Sequence, residues 1–157
     1  MAEPNVVAMS RLFTGLVNTK VDFAPARNTV PSTEKQMLGV YTVLPEGKAL
    51  VVSADQRLLA SLAGALCGLP DTAVAEHLKT TPLDELLRDA IHEILNVAST
   101  IVTSKGRAVF TQMASQAVDV SGEAAQLLKK APYRYNFDTS VANYRGGKFS
   151  VFAASLQ

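Results

Sequence analysis

The apolar positions of the chain recur with two different periods. Val6, Met9, Phe13 and Leu16 stand at helical spacing and predict a first helix over Asn5 to Val17, ended by Asn18 and Thr19. "KVDFAPARNTV" follows. Its Pro25 and Pro31 suit an edge strand or an extended crossing segment better than a central strand. "KQMLGVYTVL" and "KALVVSA", rich in Val, Leu and Tyr, predict two strands joined by "PEGK" into a hairpin. Asp55 then stands as the cap of a helix running to Cys67. Leu58, Leu59, Leu62 and Leu66 lie on one face of it, and Gly68 and Pro70 stop it.

Asp71 to Thr81 reads as a short helix or a turn. "TPLDEL" is a stronger start signal: Thr81 as cap, Pro82 at the first helical position, and Asp84 and Glu85 in the first turn. The helix it opens is predicted to run to about Ser104, with Lys105 and Gly106 as terminators. Beyond Gly106 the pattern changes. "RAVFTQMASQAVDV" suits one or two strands and "GEAAQLLKKA" a short helix. "YRYNFDTSVANY" and "KFSVFAASL" read as a closing hairpin across "RGGK". Strands and helices do not alternate strictly, so the fold class is α+β. It is read as a mainly antiparallel sheet packed with long helices, in one domain spanning 1–157.

Composition narrows the function. The 157 residues are 48% hydrophobic and 18% charged, as in a folded globular chain. Fifteen basic residues against fourteen acidic ones leave a formal charge of +1, without the basic patch that binding to nucleic acid needs. A single cysteine, Cys67, excludes an internal disulfide and fits a reducing compartment. No apolar run approaches the ~20 residues of a membrane span. The first residues, with Glu3 and no basic start, do not resemble a signal peptide. A cytoplasmic protein without membrane insertion is expected.

The long helix carries the unusual chemistry. In "LLRDAIHEILNVAST", Asp89, Glu93 and Asn96 project within roughly 60° of one another, and His92 borders them. Glu85 and Thr103 continue the stripe, opposite Leu83, Leu87, Ile91, Ile94, Ala98 and Ile101. A solvated helix back is the ordinary meaning of such a stripe. Asn96 argues against it, because Asn is a mediocre helix former.

A metal site is excluded on the donor set. "HEILN" opens like H-E-x-x-H, but Asn96 stands where the second histidine belongs, and His77 is expected on the surface before the helix. Cys67, in "GALCGLP", is expected to be a small buried thiol. Ser53, Ser99 and Ser115 lack a G-x-S-x-G context, and no phosphate-binding glycine loop is present. A carboxylate and an amide remain, facing outward. Glu can pair with a partner's Lys, and Asn can orient a water by both donating and accepting hydrogen bonds. That pair suits positioning at another protein's labile phosphoryl group, with no nucleophile of its own.

Asp89-x-x-x-Glu93-x-x-Asn96 on a long helix resembles the signature of the CheC/CheX/FliY chemotaxis phosphatases. The hairpin "GVYTVLPEGKALVVSA", the helix ending "ALCGLP" and the helix with "AIHEILN" follow the same order of elements. The likeness is greatest to the single-site CheX branch. It covers roughly Gly39 to Val120 and more loosely the whole chain.

The resemblance implies hydrolysis of the aspartyl phosphate on a CheY-like response regulator. Glu93 would pair with the regulator's Lys, and Asn96 would hold the attacking water in line. Asp89 and His92 would be supporting residues. The Mg2+ would belong to the phosphorylated partner, with no cofactor in this chain, and the protein would be a homodimer.

Three departures accompany it. Bulky His92 and Leu95 stand where the family often has small residues, and could obstruct docking. A proline a little over twenty residues after the Asn is replaced by "AVDVSG". The first helix has Asn18, but Gly15 where a second motif would need Glu, which leaves one site per chain. The alternative reading is a non-catalytic signalling module that binds a receiver domain or another chemotaxis or two-component protein.

Overall fold

A computed structural model describes residues 5–26, 32–79, 83–102 and 107–154. The first helix, α1 (Val6–Val17), is capped by Asn5, whose side chain accepts from the amides of Val7 and Ala8 at 2.9 and 3.0 Å. It ends where Asn18 turns left-handed at φ 54°. Strand β1 (Val21–Pro25) follows, then β2 (Gln36–Leu44) and β3 (Lys48–Asp55), the expected hairpin. Next come α2 (Gln56–Cys67), α3 (Asp71–His77), α4 (Glu85–Ala98), β4 (Arg107–Ala114), α5 (Gly122–Lys129), β5 (Tyr133–Val141) and β6 (Tyr144–Ala153).

The strands form one six-stranded sheet in the order β1-β5-β6-β3-β2-β4, every neighbouring pair antiparallel. The α+β expectation holds. β1, with its terminal Pro25, takes one edge, as the prolines require, and β4 takes the other. Alternation along the strands divides the core in two. Met37, Tyr41, Val52, Phe137, Phe149 and Val151 face the layer of α1, α2 and α4, where they meet Phe13, Leu58, Leu62, Ile91 and Ile94. Leu38, Val40, Val51 and Phe152 face the other way, and α5 covers them with Ala124 and Leu127.

Four expectations change. Asp55 occupies the cap position of α2 but gives no side-chain cap bond. Its buried carboxylate instead accepts from the Ser32 hydroxyl at 2.6 Å, the Gln36 amide at 2.5 Å and the Lys148 backbone N–H at 2.9 Å. α4 is capped by Asp84, whose side chain accepts from the Leu87 amide at 3.0 Å, and it stops at Ala98 instead of near Ser104. From Ser99 to Ile101 the amides turn to carbonyls three residues back, and the Thr100 hydroxyl also donates to the Val97 carbonyl. Thr81, Pro82, Thr103, Ser104, Lys105 and Gly106 lie outside the described residues.

The closing hairpin turns at Ala142 and Asn143, the latter at φ 69°, and "RGGK" lies inside β6. Its glycines serve close approach. A Cβ on Gly146 would collide with the Thr139 carbonyl of the bulged β5, and one on Gly147 would lie 2.8 Å from the Asp55 carboxylate. Finally, Cys67 is exposed. By the last turn α2 has run past its packing partners, and Ala65 and Leu66 are already only half-buried.

Candidate functional site on helix α4

Helix α4 is fixed along its length by three different means. At its start, Asp84 bonds the Leu87 amide and pairs with the imidazole of His77 at the end of α3. Both bonds favour the charged carboxylate, and its pKa is lowered, first by the backbone amide and then by the histidine. Along its inner face Leu87, Ala90, Ile91, Ile94, Leu95 and Ala98 are buried. At its end the Ser99 amide turns to the Asn96 carbonyl, and the Leu95 carbonyl receives the Tyr41 hydroxyl at 2.5 Å. Burial pushes the Tyr41 phenol pKa far up, so it stays a neutral donor.

Gly39 makes this close seating possible. A Cβ there would stand 3.2 Å from both Leu95 Cδ2 and the Tyr41 ring. Leu95, which the motif comparison marked as an obstacle to docking, points into the core and is fully buried. Its bulk faces the sheet, and the departure at this position costs the outer face nothing.

The outer face presents Asp89, His92, Glu93 and Asn96, all exposed, so these four residues of the polar stripe share one open face. None of these four side chains has a hydrogen bond or ion pair to another described residue. His92 leans onto Phe110 of β4, edge to face with ring centroids 4.9 Å apart, and Phe110 in turn packs on Tyr41 at 5.3 Å. His92 therefore rests on the side of α4 nearest the sheet edge and leaves both Glu93 and Asn96 exposed.

Two recesses flank this contact between α4 and β4. One, of about 370 Å³, is lined by Asn96, Ser99, Thr100, Arg107 and Phe110. The other, of about 630 Å³, is lined by Glu85, Arg88, Asp89, His92 and Gln112. Arg107 was missed in the sequence because it starts a strand far along the chain. Its place beside Asn96 follows only from the pairing of β4 with β2, which opposes Arg107 to Leu44.

The remaining sequence candidates lie elsewhere. Cys67 is exposed at the end of α2, and His77 is half-buried in its pair with Asp84. Asn18 terminates α1. Among the described residues no group of three or more His, Cys, Asp or Glu side chains is placed to hold a metal ion. No helix among them is long and apolar enough to cross a membrane.

This six-stranded antiparallel sheet with its helical layers is an α+β fold similar to that of solved FliM and FliY structures. Three such structures illustrate the likeness. The matched chain of a FliG–FliM complex from H. pylori aligns over 96% of this chain and 87% of its own, with TM-score 0.64 and 10% identity. The FliM middle domain from H. pylori aligns over 94% and 84%, with TM-score 0.55 and 14% identity. Thermotoga maritima FliY aligns over 94% and 83%, with TM-score 0.53 and 15% identity. At these identities the likeness is one of fold. No family model and no curated protein matches the sequence.

Proposed function

We propose that the outer face of α4 docks a CheY-like receiver domain and accelerates hydrolysis of its aspartyl phosphate. The observation that carries this reading is the pairing of Glu93 and Asn96, exposed and unbonded to other described side chains, on a rigid helix whose inner face is buried. Glu93 forms the ion pair with the receiver's Lys, and Asn96 orients the attacking water. Asp89 and His92 support the docking surface. The rate gain comes from positioning, because the reacting phosphoryl group and its Mg2+ belong to the partner. A homodimeric cytoplasmic protein belongs to the same proposal.

Phosphate release from an acetyl-phosphate-charged receiver domain tests it. Wild type accelerates release, and Glu93→Ala and Asn96→Ala lose the acceleration. No acceleration by wild type, or full activity in both variants, sinks the catalytic reading.

The second reading is a docking module without hydrolysis. Two observations favour it: His92 stands exposed beside Glu93, and one aligned structure is a chain of a FliG–FliM complex. Binding to a beryllofluoride-charged receiver with no effect on phosphate release would select this reading.

A further inference from the structure

The sheet face turned away from α4 carries a second set of chemically suited groups. Strand register places them in two rows. Arg134 lies opposite Phe152, which lies opposite Val51; Asn136 lies opposite Ser150, which lies opposite Ser53, which lies opposite Leu38. Helix α5 covers the apolar ends of these rows and leaves their polar ends open. A recess of about 330 Å³ results, within the size range of small-molecule sites. Leu38, Leu128 and Phe152 give it apolar walls. Among the described residues its charged lining is Arg134 and Lys148, with no carboxylate.

The polar groups are held in place before any ligand arrives. The Arg134 guanidinium carbon sits 4.8 Å from the centre of the Phe152 ring. Its Nε donates to Asn136 Oδ1 at 3.1 Å, and the Ser150 hydroxyl donates to the same oxygen at 2.7 Å. Stacking and the Nε bond fix the guanidinium plane and leave its two Nη groups as a fork. Asn136 Oδ1 is doubly occupied, which turns the amide's NH2 outward as a further donor. The Gln36 amide is already used: it donates to Asp55 and to the Glu34 carbonyl and accepts from Ser53.

A pre-set guanidinium fork, an amide donor and apolar walls match an anion carrying a short apolar body. The geometry points to a binding site for a small organic anion, carboxylate or phosphate, gripped by Arg134 and Asn136 beside α5. The site lies on the opposite sheet face from α4 and stands independently of the phosphatase reading.

NMR titration of the full chain with benzoate, phenyl phosphate and benzylamine tests the site. Saturable shifts at the Arg134 Nε–H and Asn136 side-chain amide are expected with one or both anions and not with the amine. The tighter anion identifies the class. Arg134→Gln, and Asn136→Asp as a near-isosteric charge addition, each weaken anion binding by about tenfold or more, whereas Arg11→Gln on α1 leaves it unchanged. The inference is overturned if neither anion saturates below about 10 mM, if benzylamine binds equally well, or if both site variants bind like wild type.

Discussion

Helices α2 and α4 both carry polar residues in an otherwise apolar layer, yet they use them in opposite ways. Around α2 the polar groups are bonded to one another. Asp55 gathers Ser32, Gln36 and the Lys148 amide; Arg57 pairs with Asp71 at 2.5 Å and reaches Ser61 at 3.0 Å; the Ser61 hydroxyl donates to the Arg145 carbonyl at 2.6 Å. On α4, Asp89, His92, Glu93 and Asn96 reach outward without a polar partner among the described residues. Polar groups that stabilise a fold are satisfied within it. Those left unsatisfied at the surface of a rigid helix are available to something else.

Substitutions that strike each helix separately sharpen this contrast. Asp55→Ala should have the largest effect on stability. It takes a buried shared acceptor from a half-buried hydroxyl, a side-chain amide and a backbone N–H at once, at about 3 kcal/mol, read as a lowered midpoint in urea unfolding. Tyr41→Phe comes next at about 2 kcal/mol, because the buried Leu95 carbonyl loses its donor. Its loss loosens the turn that carries Asn96, so local amide exchange from Asn96 to Val102 should quicken.

Asp84→Ala should cost about 1 kcal/mol at neutral pH, as the loss of a helix cap. Its lowered pKa gives the dependence a sign. The wild-type advantage is present in full above the ordinary carboxylate value of 3.8 and is lost as pH falls through the lowered one. Unfolding curves of wild type and variant should therefore converge in strong acid. Glu93→Ala and Asn96→Ala should change stability least, within about 0.5 kcal/mol, because neither side chain bonds another described residue. A larger loss would place these residues with the α2 group.

The elements were legible wherever apolar spacing alone decided them. The β2–β3 hairpin, α1, α2 and α5 follow from local periodicity, and the outward stripe on α4 from the same rule. What escaped depended on contacts distant in the chain. The glycines of "RGGK" look like a turn until the bulge at Thr139 and the Asp55 carboxylate are seen pressing on them. Leu95 looks like a docking obstacle until Gly39 is seen to admit it to the core. Asp55 looks like a cap, and its partners lie on β2, on β6 and before β2. Arg107 gives no local sign that it shares a recess with Asn96.

The most direct test of the central claim is phosphate release from a phosphorylated receiver domain with wild type and Asn96→Ala, paired with a binding measurement on the beryllofluoride-charged receiver. Positioning of the water predicts that Asn96→Ala lowers the acceleration by about 100-fold while binding stays near wild type. Equal acceleration by wild type and Asn96→Ala, or none by wild type, would contradict it.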